Sequence, residues 1–527
     1  MRISVLTLVF ILAMPIGFSA GFSRLYSQDL FLFFTAPSGD DEGYFDHVNV
    51  WFGDHRYSRV RAPDCRVHKN IRGIGSALLW SPGYLIFKYA GPCLKPALGM
   101  RDMEADQWLR LGAATTNFFI ASALLWLLFS ILRSYVGPPT ALVFSMALVF
   151  GGVLPYYLFR RPLMSHGAEA FFFLFAVYGI ERLKHGNESP WIYGLIGTAS
   201  AGVLSTRLQD LPVIAVLLVL LAWERRRQWP SLAILFLVFF VSMVPQMVVN
   251  RINLGYWIPP PSHALSFLTP GFLFQLGWAQ GIRLGRLFAG PDWGLILMFP
   301  WLLFALFVPR QKWRELWPVS RIWLLAPLPS LLIDANWIGH GGSYAHRYVS
   351  LFVLALGVAA ACGFESLMKR HRGLRLVSTL GLGAALFISL THFVAFESDE
   401  SRLTLVYGPV SMEGPVRPEW AAVLDQDYLN GRYSANVYEL FIHPRELVRC
   451  FGAAPLPLYA VFKLAELRHR APPPAVGRYL DKHRIDFRCY WRYFGSIVLA
   501  NVLLGWLWIQ GVGRLRARRN TLSPGSI

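Results

Sequence analysis

The sequence predicts an all-α polytopic membrane protein, and three observations support this prediction. The 527 residues are 54% hydrophobic and only 15% charged, and their mean hydropathy is +0.41. A soluble globular protein carries about 25% charged residues, so this chain is poor in charge. Its apolar residues also gather into runs of roughly 20, the length at which an α-helix crosses a bilayer.

Twelve such runs are predicted as transmembrane helices. They cover residues 3–21, 109–133, 139–159, 165–181, 190–206, 209–223, 230–250, 293–309, 321–333, 348–366, 374–396 and 496–513. The first run also resembles a cleavable signal peptide, because Arg2 and an apolar stretch precede Phe-Ser-Ala at 18–20. Apolar character resumes at 29–36, which favours a first helix that is retained.

The basic residues of the short connections predict the orientation of the chain. Alternate connections carry Arg133, Lys184, Arg225 and Lys369, and a basic tail follows the last helix. Because cytoplasmic loops are enriched in Lys and Arg, this side is predicted to be cytoplasmic, with both termini on it. The outer side then receives a large first loop, residues 37–108, and a small C-terminal segment, residues 397–495.

Two features of the outer side leave alternatives open. The stretch at 73–91 is long enough to span a membrane, but Pro82, Lys88 and four glycines favour a helix lying along the outer surface. The outer cysteines could form two disulfides, Cys65 with Cys93 and Cys450 with Cys489, or remain four reduced thiols.

The net charge of +19 indicates an anionic partner. Its basic residues are spread over loops on both faces without a recognisable nucleic-acid module, so nucleic acid is not predicted as a partner. Cytoplasmic cations can contact anionic lipid headgroups of the bilayer. For the outer cations, a phosphate-bearing ligand is the simplest explanation.

An acidic stretch follows the first helix in this basic protein. The sequence SGDDEGYFDH at 38–47 places Asp40, Asp41 and Glu42 side by side at the start of the first outer loop. Carboxylates close to a bilayer are costly unless they are solvated, paired or used for function. The alternative without function is a solvated turn that caps a helix starting near Tyr44.

The stretch GDDEGYFDHVNVW at 39–51 resembles the acidic motif of the GT-C superfamily of membrane glycosyltransferases, within the branch of aminoarabinose and protein mannosyltransferases. RGIGSALLWSPGYL at 72–85, RPLMSHGAEAF at 161–171, STRLQD at 205–210 and GGSYAHRYV at 341–349 add to the resemblance. With hydropathy, it covers nearly all of 1–396, which would form a GT-C-like transmembrane catalytic domain. The segment 397–495 matches nothing known, and 496–527 holds the last helix and the basic tail.

The resemblance implies an inverting transfer of a sugar from a polyprenyl phosphate. Such a reaction needs a carboxylate that removes a proton from the acceptor hydroxyl, and cations that stabilise the leaving phosphate. By resemblance, Asp41 is the predicted catalytic base and Asp40 its close competitor. Glu42 is predicted to be their partner or a metal contact, and the crowding of three carboxylates should raise at least one pKa by repulsion.

Outer cations at helix ends are candidates for binding the donor phosphate. These are Arg207, Arg347, Arg161 and Arg72. Arg207 lies between two apolar helices, where it could instead form a satisfied ion pair with Asp210 three residues on. Candidate substrate contacts are Tyr44, His166, Asp210 and Tyr344.

No cofactor is certain, and a divalent cation is left open. Asp40, Asp41 and His47 offer oxygen and nitrogen ligands, but the outer histidines lack the paired spacing of an HExxH zinc helix. Ser-His-Asp, Walker A and GxGxxG arrangements are absent from the outer segments, so hydrolase and nucleotide-driven activities are not predicted.

The predicted function is therefore a glycosyltransferase of a bacterial inner membrane with a periplasmic active site. It would use a hexosyl or pentosyl polyprenyl-phosphate donor and a lipid-linked glycan, polysaccharide or protein acceptor. A lipid-carrier or polysaccharide transporter is the alternative from another class, and it predicts charges along a mid-membrane path. A third alternative, an O-antigen-ligase-like transferase, predicts catalytic groups within 397–495.

Overall fold

The computed structural model describes a helical protein in residues 5–22, 39–53, 60–61, 67–68, 72–186, 188–258, 278–289, 294–336, 349–398, 455–468, 471 and 487–521. Within these ranges, a single pair of two-residue strands, Val60–Arg61 (β1) and Val67–His68 (β2), pairs in antiparallel register. Everything else that is regular is helical.

The described residues up to 258 form nine α-helices. They are α1 Val5–Phe22, α2 Gly39–Phe52, α3 Gly75–Leu98, α4 Ala105–Leu132, α5 Pro138–Phe150, α6 His166–Lys184, α7 Pro190–Thr206, α8 Leu211–Glu224 and α9 Trp229–Leu254. Two short turns of other geometry interrupt them: a π-helical turn at Tyr156–Arg160 and a 3-10 turn at Leu208–Asp210.

The second half of the described chain adds eight α-helices. They are α10 Trp278–Ala289, α11 Leu295–Met298, α12 Arg310–Leu325, α13 Leu328–Asn336, α14 Ser350–Met368, α15 Arg372–Ser398, α16 Pro455–Leu467 and α17 Phe487–Thr521. A 3-10 helix at Pro300–Phe307 follows α11. The segment 397–495 lies largely outside the described residues, so its predicted nature as a small outer unit stays a prediction.

Nine of the twelve predicted spans coincide with helices, while three are broken. The predicted span 139–159 is wrong as one helix, because α5 ends at Phe150 and Gly151, Gly152 and Pro155 follow. The span 293–309 divides at Phe299 into α11 and the 3-10 helix, and 321–333 divides at Pro327 between α12 and α13. Proline removes a backbone donor and disfavours helix in the residue before it.

Four helices of the described chain are long and apolar enough to cross a membrane. They comprise Ala105–Leu132, Trp229–Leu254, Ser350–Met368 and the part of α15 at Arg372–Val394. The first helix, α1, packs into the bundle between α4 and α17, where Asn501 Nδ2 donates to the Leu12 carbonyl at 2.8 Å.

The predicted surface helix at 73–91 is longer than expected. It runs as α3 to Leu98, and Gly99 ends it with a φ of +78°. One face packs along α4, where Trp108 Nε1 donates to the Phe87 carbonyl at 2.7 Å. The other face exposes Leu78, Ile86 and Tyr89.

The end of the bundle that carries the short basic connections is held by a buried polar network. Tyr135 donates its hydroxyl to Glu181 Oε1 at 2.5 Å, and Trp323 Nε1 donates to the same oxygen at 2.8 Å. Burial and the Glu181 carboxylate raise the pKa of Tyr135 well above its usual range. Lys184 Nζ donates to the Tyr135 hydroxyl at 3.2 Å, and Arg321 pairs with Glu224. The basic connections therefore gather at one end of the bundle.

The structure describes one cysteine of each candidate disulfide. Cys93 is exposed at the end of α3, and Cys489 is half-buried in α17. Their suggested partners, Cys65 and Cys450, lie outside the described residues, so the disulfide-bonded and reduced alternatives both stay predictions.

Candidate functional site

The acidic stretch opens a helix. Helix α2 begins at Gly39 and not near Tyr44, so Asp40, Asp41 and Glu42 occupy its first turn. Interpreting the stretch as a turn before the helix was therefore wrong. Carboxylates in the first turn interact favourably with the positive end of the helix dipole. The structure describes the backbone of residues 39–42 but not their side chains, so their catalytic and metal-binding roles stay predictions.

The body of α2 is buried and tied to Arg72. His47 is fully buried, and its Nε2 donates to the Arg72 carbonyl at 3.0 Å. Burial lowers the pKa of His47 to about 4, which keeps the ring neutral. The Arg72 guanidinium lies 6.0 Å from the centroid of the Tyr44 ring. Tyr44 and Arg72, two predicted site residues, are thus neighbours. One ring nitrogen of His47 is occupied by a hydrogen bond to the backbone.

Residues 72–75 connect α2 to the C-terminal end of α7 and to α9. The amide of Ile74 donates to Gln246 Oε1 on α9 at 2.8 Å. A Cβ atom added at Gly73 would lie 2.2 Å from the Ser205 carbonyl oxygen, and one at Gly75 would lie 2.1 Å from Thr206 Oγ1. Only glycine allows this approach of two backbones. The RGIG and STRLQD motifs, which lie far apart in the sequence, therefore pack directly on each other.

The substitution Gly73→Ala is expected to push residues 72–75 off the end of α7. Overpacking of this kind costs about 1–3 kcal/mol, and it should also speed amide hydrogen exchange in α2. The free energy of unfolding in detergent and hydrogen exchange by mass spectrometry measure the two effects. Gly194→Ala on α7 is the matched control, since its added Cβ meets nothing closer than 3.8 Å. Equal stability of the two variants would contradict this description of the contact.

Arg207 is the centre of a buried polar cluster. Its Nη1 donates to Glu169 Oε2 at 2.7 Å and lies 2.7 Å from His166 Nδ1. The same Nδ1 lies 3.1 Å from Glu169 Oε2, so the three side chains contact one another. Nε and Nη2 donate to Gln209 Oε1 at 3.2 and 3.0 Å. Glu169 is 0% and Arg207 5% exposed, so the charges compensate each other away from water.

The suggested ion pair between Arg207 and Asp210 is wrong, because the acid that pairs with Arg207 is Glu169. Helix α7 ends at Thr206, and Arg207 has an extended backbone with φ −146° and ψ 106°. The two residues therefore do not lie one turn apart on one helix, as the pairing requires. Asp210 is buried, and its Oδ2 has no hydrogen-bond partner in the described part of the chain.

The segment 156–166 supplies further cations beside this cluster. Its π-helical turn ends at Arg160, which is buried, and Arg161 is half-buried. Asn117 Nδ2 on α4 donates to the Pro162 carbonyl at 2.6 Å and fixes the segment. The ring centroids of Tyr157 and His166 lie 4.2 Å apart. Single π-helical turns are frequent at functional sites.

Glu169 and Asn117 belong to the site, although the sequence did not indicate either of them. Glu169 follows His166 by three residues in the first turn of α6, a spacing that places both side chains on one helix face. That spacing is the signal in the sequence that could have indicated Glu169 as a neighbour of His166. Nothing in the sequence indicates the contact of Glu169 with Arg207 or with Ser350, whose Oγ donates to Glu169 Oε1 at 3.4 Å.

Two predicted site residues cannot be placed. Arg347 and Tyr344 lie in 337–348, outside the described residues. The remaining ones all belong to α2 or to the segments at 72–75, 156–166 and 205–210; they are Asp40, Asp41, Glu42, Tyr44, His47, Arg72, Arg161, His166, Arg207 and Asp210. Among the residues that the structure describes, no group of three or more His, Cys, Asp or Glu is arranged to hold a metal ion.

No known protein family matches the sequence, and no curated protein matches it either. The structure is similar to that of ArnT from Cupriavidus metallidurans bound to undecaprenyl phosphate, with 16% identity, 84% of this chain and 78% of that chain covered, and a TM-score of 0.42. It is also similar to the apo form of the Archaeoglobus fulgidus oligosaccharyltransferase, with 12% identity, 80% and 59% covered, and a TM-score of 0.41. TM-scores below 0.5 do not establish a common fold, so the function is argued from the residues of this chain.

Proposed function

We propose that this chain is a GT-C-like membrane glycosyltransferase that takes a sugar from a polyprenyl phosphate and transfers it to an acceptor hydroxyl. The observation that carries the proposal is the packing of RGIG against STRLQD at the end of α7. It links the helix that opens with the acidic motif to a buried cluster of arginine, histidine and carboxylate.

The acidic first turn of α2 would supply the base. Asp41, or Asp40 beside it, would remove the proton of the acceptor hydroxyl as the sugar is transferred with inversion, and Glu42 would assist. General base catalysis requires a carboxylate that is ionised and within hydrogen-bond reach of that hydroxyl. Acceptors of this chemistry are a lipid-linked glycan, a polysaccharide or a protein hydroxyl.

The arginines would divide between two tasks. Arg207 is engaged by Glu169, His166 and Gln209, and it would hold the cluster in place. Arg72, Arg161 and Arg347 would contact the donor phosphate directly. Cations around a leaving phosphate stabilise the charge that develops on it in the transition state.

The site would face the periplasm of a bacterial inner membrane, with both termini in the cytoplasm. Support comes from the basic connections, which gather at the opposite end of the bundle from the Arg207 cluster. Basic residues concentrate on the cytoplasmic side of membrane proteins. The polyprenyl chain would remain in the bilayer while its phosphate reaches the site.

The test uses purified full-length protein in lipid nanodiscs with a panel of polyprenyl-phosphate sugars, and mass spectrometry of the free polyprenyl phosphate. We expect release with one sugar of the panel, increased by the right acceptor. Movement of the lipid-linked sugar across sealed liposomes without release would favour a transporter instead. The O-antigen-ligase-like alternative would be favoured if substitutions within 397–495 abolish release of polyprenyl phosphate while substitutions of Asp40, Asp41 and Glu42 do not.

A further inference from the structure

Arg110 is a buried cation that the proposed mechanism has not used. It lies in the second turn of α4 and is 7% exposed. Its Nε donates to Asp106 Oδ2 at 2.7 Å, one turn earlier on the same helix. Its Nη1 has no hydrogen-bond partner in the part of the chain that the structure describes. Buried charged donors are normally hydrogen-bonded, so this atom requires an explanation.

The guanidinium of Arg110 is held in a fixed orientation next to α2. Its central carbon lies 4.6 Å from the centroid of the Phe45 ring, a cation–π geometry. Phe45 is one helical turn after the acidic triplet, and it packs in turn against Tyr84 of α3. Asp106 accepts from Nε, and the Phe45 ring lies beside the guanidinium, so neither contact satisfies Nη1.

Arg110 also shares a helix face with the anchor of the 156–166 segment. Asn117 follows it by seven residues, two turns along α4 on the same face, and binds the Pro162 carbonyl. This face of α4 therefore contacts α2 through Arg110 and the arginine-bearing segment through Asn117.

We propose that Arg110 is a further phosphate-binding residue, whose Nη1 donates to a phosphate oxygen of the lipid-linked donor; this rests on the proposed function. Arginine suits the task, because its planar guanidinium keeps its charge and presents donors in fixed directions to a phosphate. A phosphate oxygen on Nη1 satisfies the unpaired donor and brings the anomeric carbon beside the helix that carries the acidic motif.

The test measures binding of undecaprenyl phosphate and of undecaprenol to the purified full-length protein by native mass spectrometry. Wild type is expected to prefer the phosphate. Arg110→Gln should weaken binding of the phosphate by about 10- to 100-fold, the effect of losing one hydrogen bond to a charged group, and leave binding of the alcohol unchanged. Arg133→Gln, just after the other end of α4, is the matched control and should bind the phosphate as wild type does.

Two further variants keep the test decisive where Arg110→Gln fails to fold. Arg110→Lys preserves the charge but not the planar guanidinium with its several N–H donors. Phe45→Leu removes the ring that orients the guanidinium. Both variants should bind the phosphate several-fold more weakly than wild type. Unchanged phosphate affinity in the folded variants would overturn the role of Arg110. Equal affinity of wild type for phosphate and alcohol would instead overturn the proposed function.

Discussion

The substitution Glu169→Gln is expected to destabilise the protein by about 3–5 kcal/mol, the usual effect of removing one partner of a buried ion pair. The carboxylate is completely buried and accepts hydrogen bonds from Arg207 and Ser350. Glutamine retains one oxygen but removes the negative charge that pairs with Arg207. The free energy of unfolding in mixed detergent micelles, followed by tryptophan fluorescence, measures the loss.

A matched control and a double substitution test the reason for this loss. Glu188→Gln removes the acid of the more exposed pair with Arg225 and should cost no more than about 1 kcal/mol. The double variant Glu169→Gln/Arg207→Gln should lose less stability than the sum of the two single variants, because each single variant leaves one charge buried alone. Strictly additive losses would contradict the ion pair as the cause.

The substitution Asp41→Asn is expected to lower the rate of sugar transfer by about 10²- to 10⁴-fold, the range typical of a general base. Asparagine has nearly the same shape, so the donor should still bind, and the loss should appear in kcat. Asp40→Asn is the competing assignment and should show the larger loss if Asp40 is the base. Release of polyprenyl phosphate in single-turnover reactions measures all of these rates.

Asp102→Asn is the control for this series, because Asp102 is an exposed acid in the turn between α3 and α4. It should transfer sugar at the wild-type rate. Glu42→Gln should lower the rate of sugar transfer less than substitution of the base does, since Glu42 only assists. Wild-type rates in Asp40→Asn, Asp41→Asn and Glu42→Gln alike would remove the acidic motif from the mechanism.

Hydropathy predicted most helices correctly, because a membrane-spanning helix must be apolar over its whole length. It failed at 139–159, 293–309 and 321–333, where apolar residues continue through a break in the helix. Hydropathy reports the free energy of transferring side chains to lipid. It does not report whether the backbone continues as one helix. The glycines at 151–152 and the prolines at 300 and 327 were the signals that could have located these breaks.

The neighbours of the site were harder to predict than its motifs. RGIG, STRLQD and the His166 stretch were recognised separately, yet Arg207 was given a partner three residues away in sequence. Its true partner, Glu169, lies 38 residues earlier on another helix. Local spacing identifies a partner only where one helix continues through both residues, and α7 ends one residue before Arg207. Arg110 shows the same limit, because only the fold brings it to Phe45.

The most direct test of the account is to locate the donor. Purified protein would be labelled with a polyprenyl phosphate carrying a photoreactive group next to the phosphate, and the modified peptides identified by mass spectrometry. We expect labels within 39–52, 72–88, 105–117, 156–169 or 341–349, all removed by an excess of the unlabelled lipid phosphate. Labels confined to α8 and α9, or to 397–495, would contradict it.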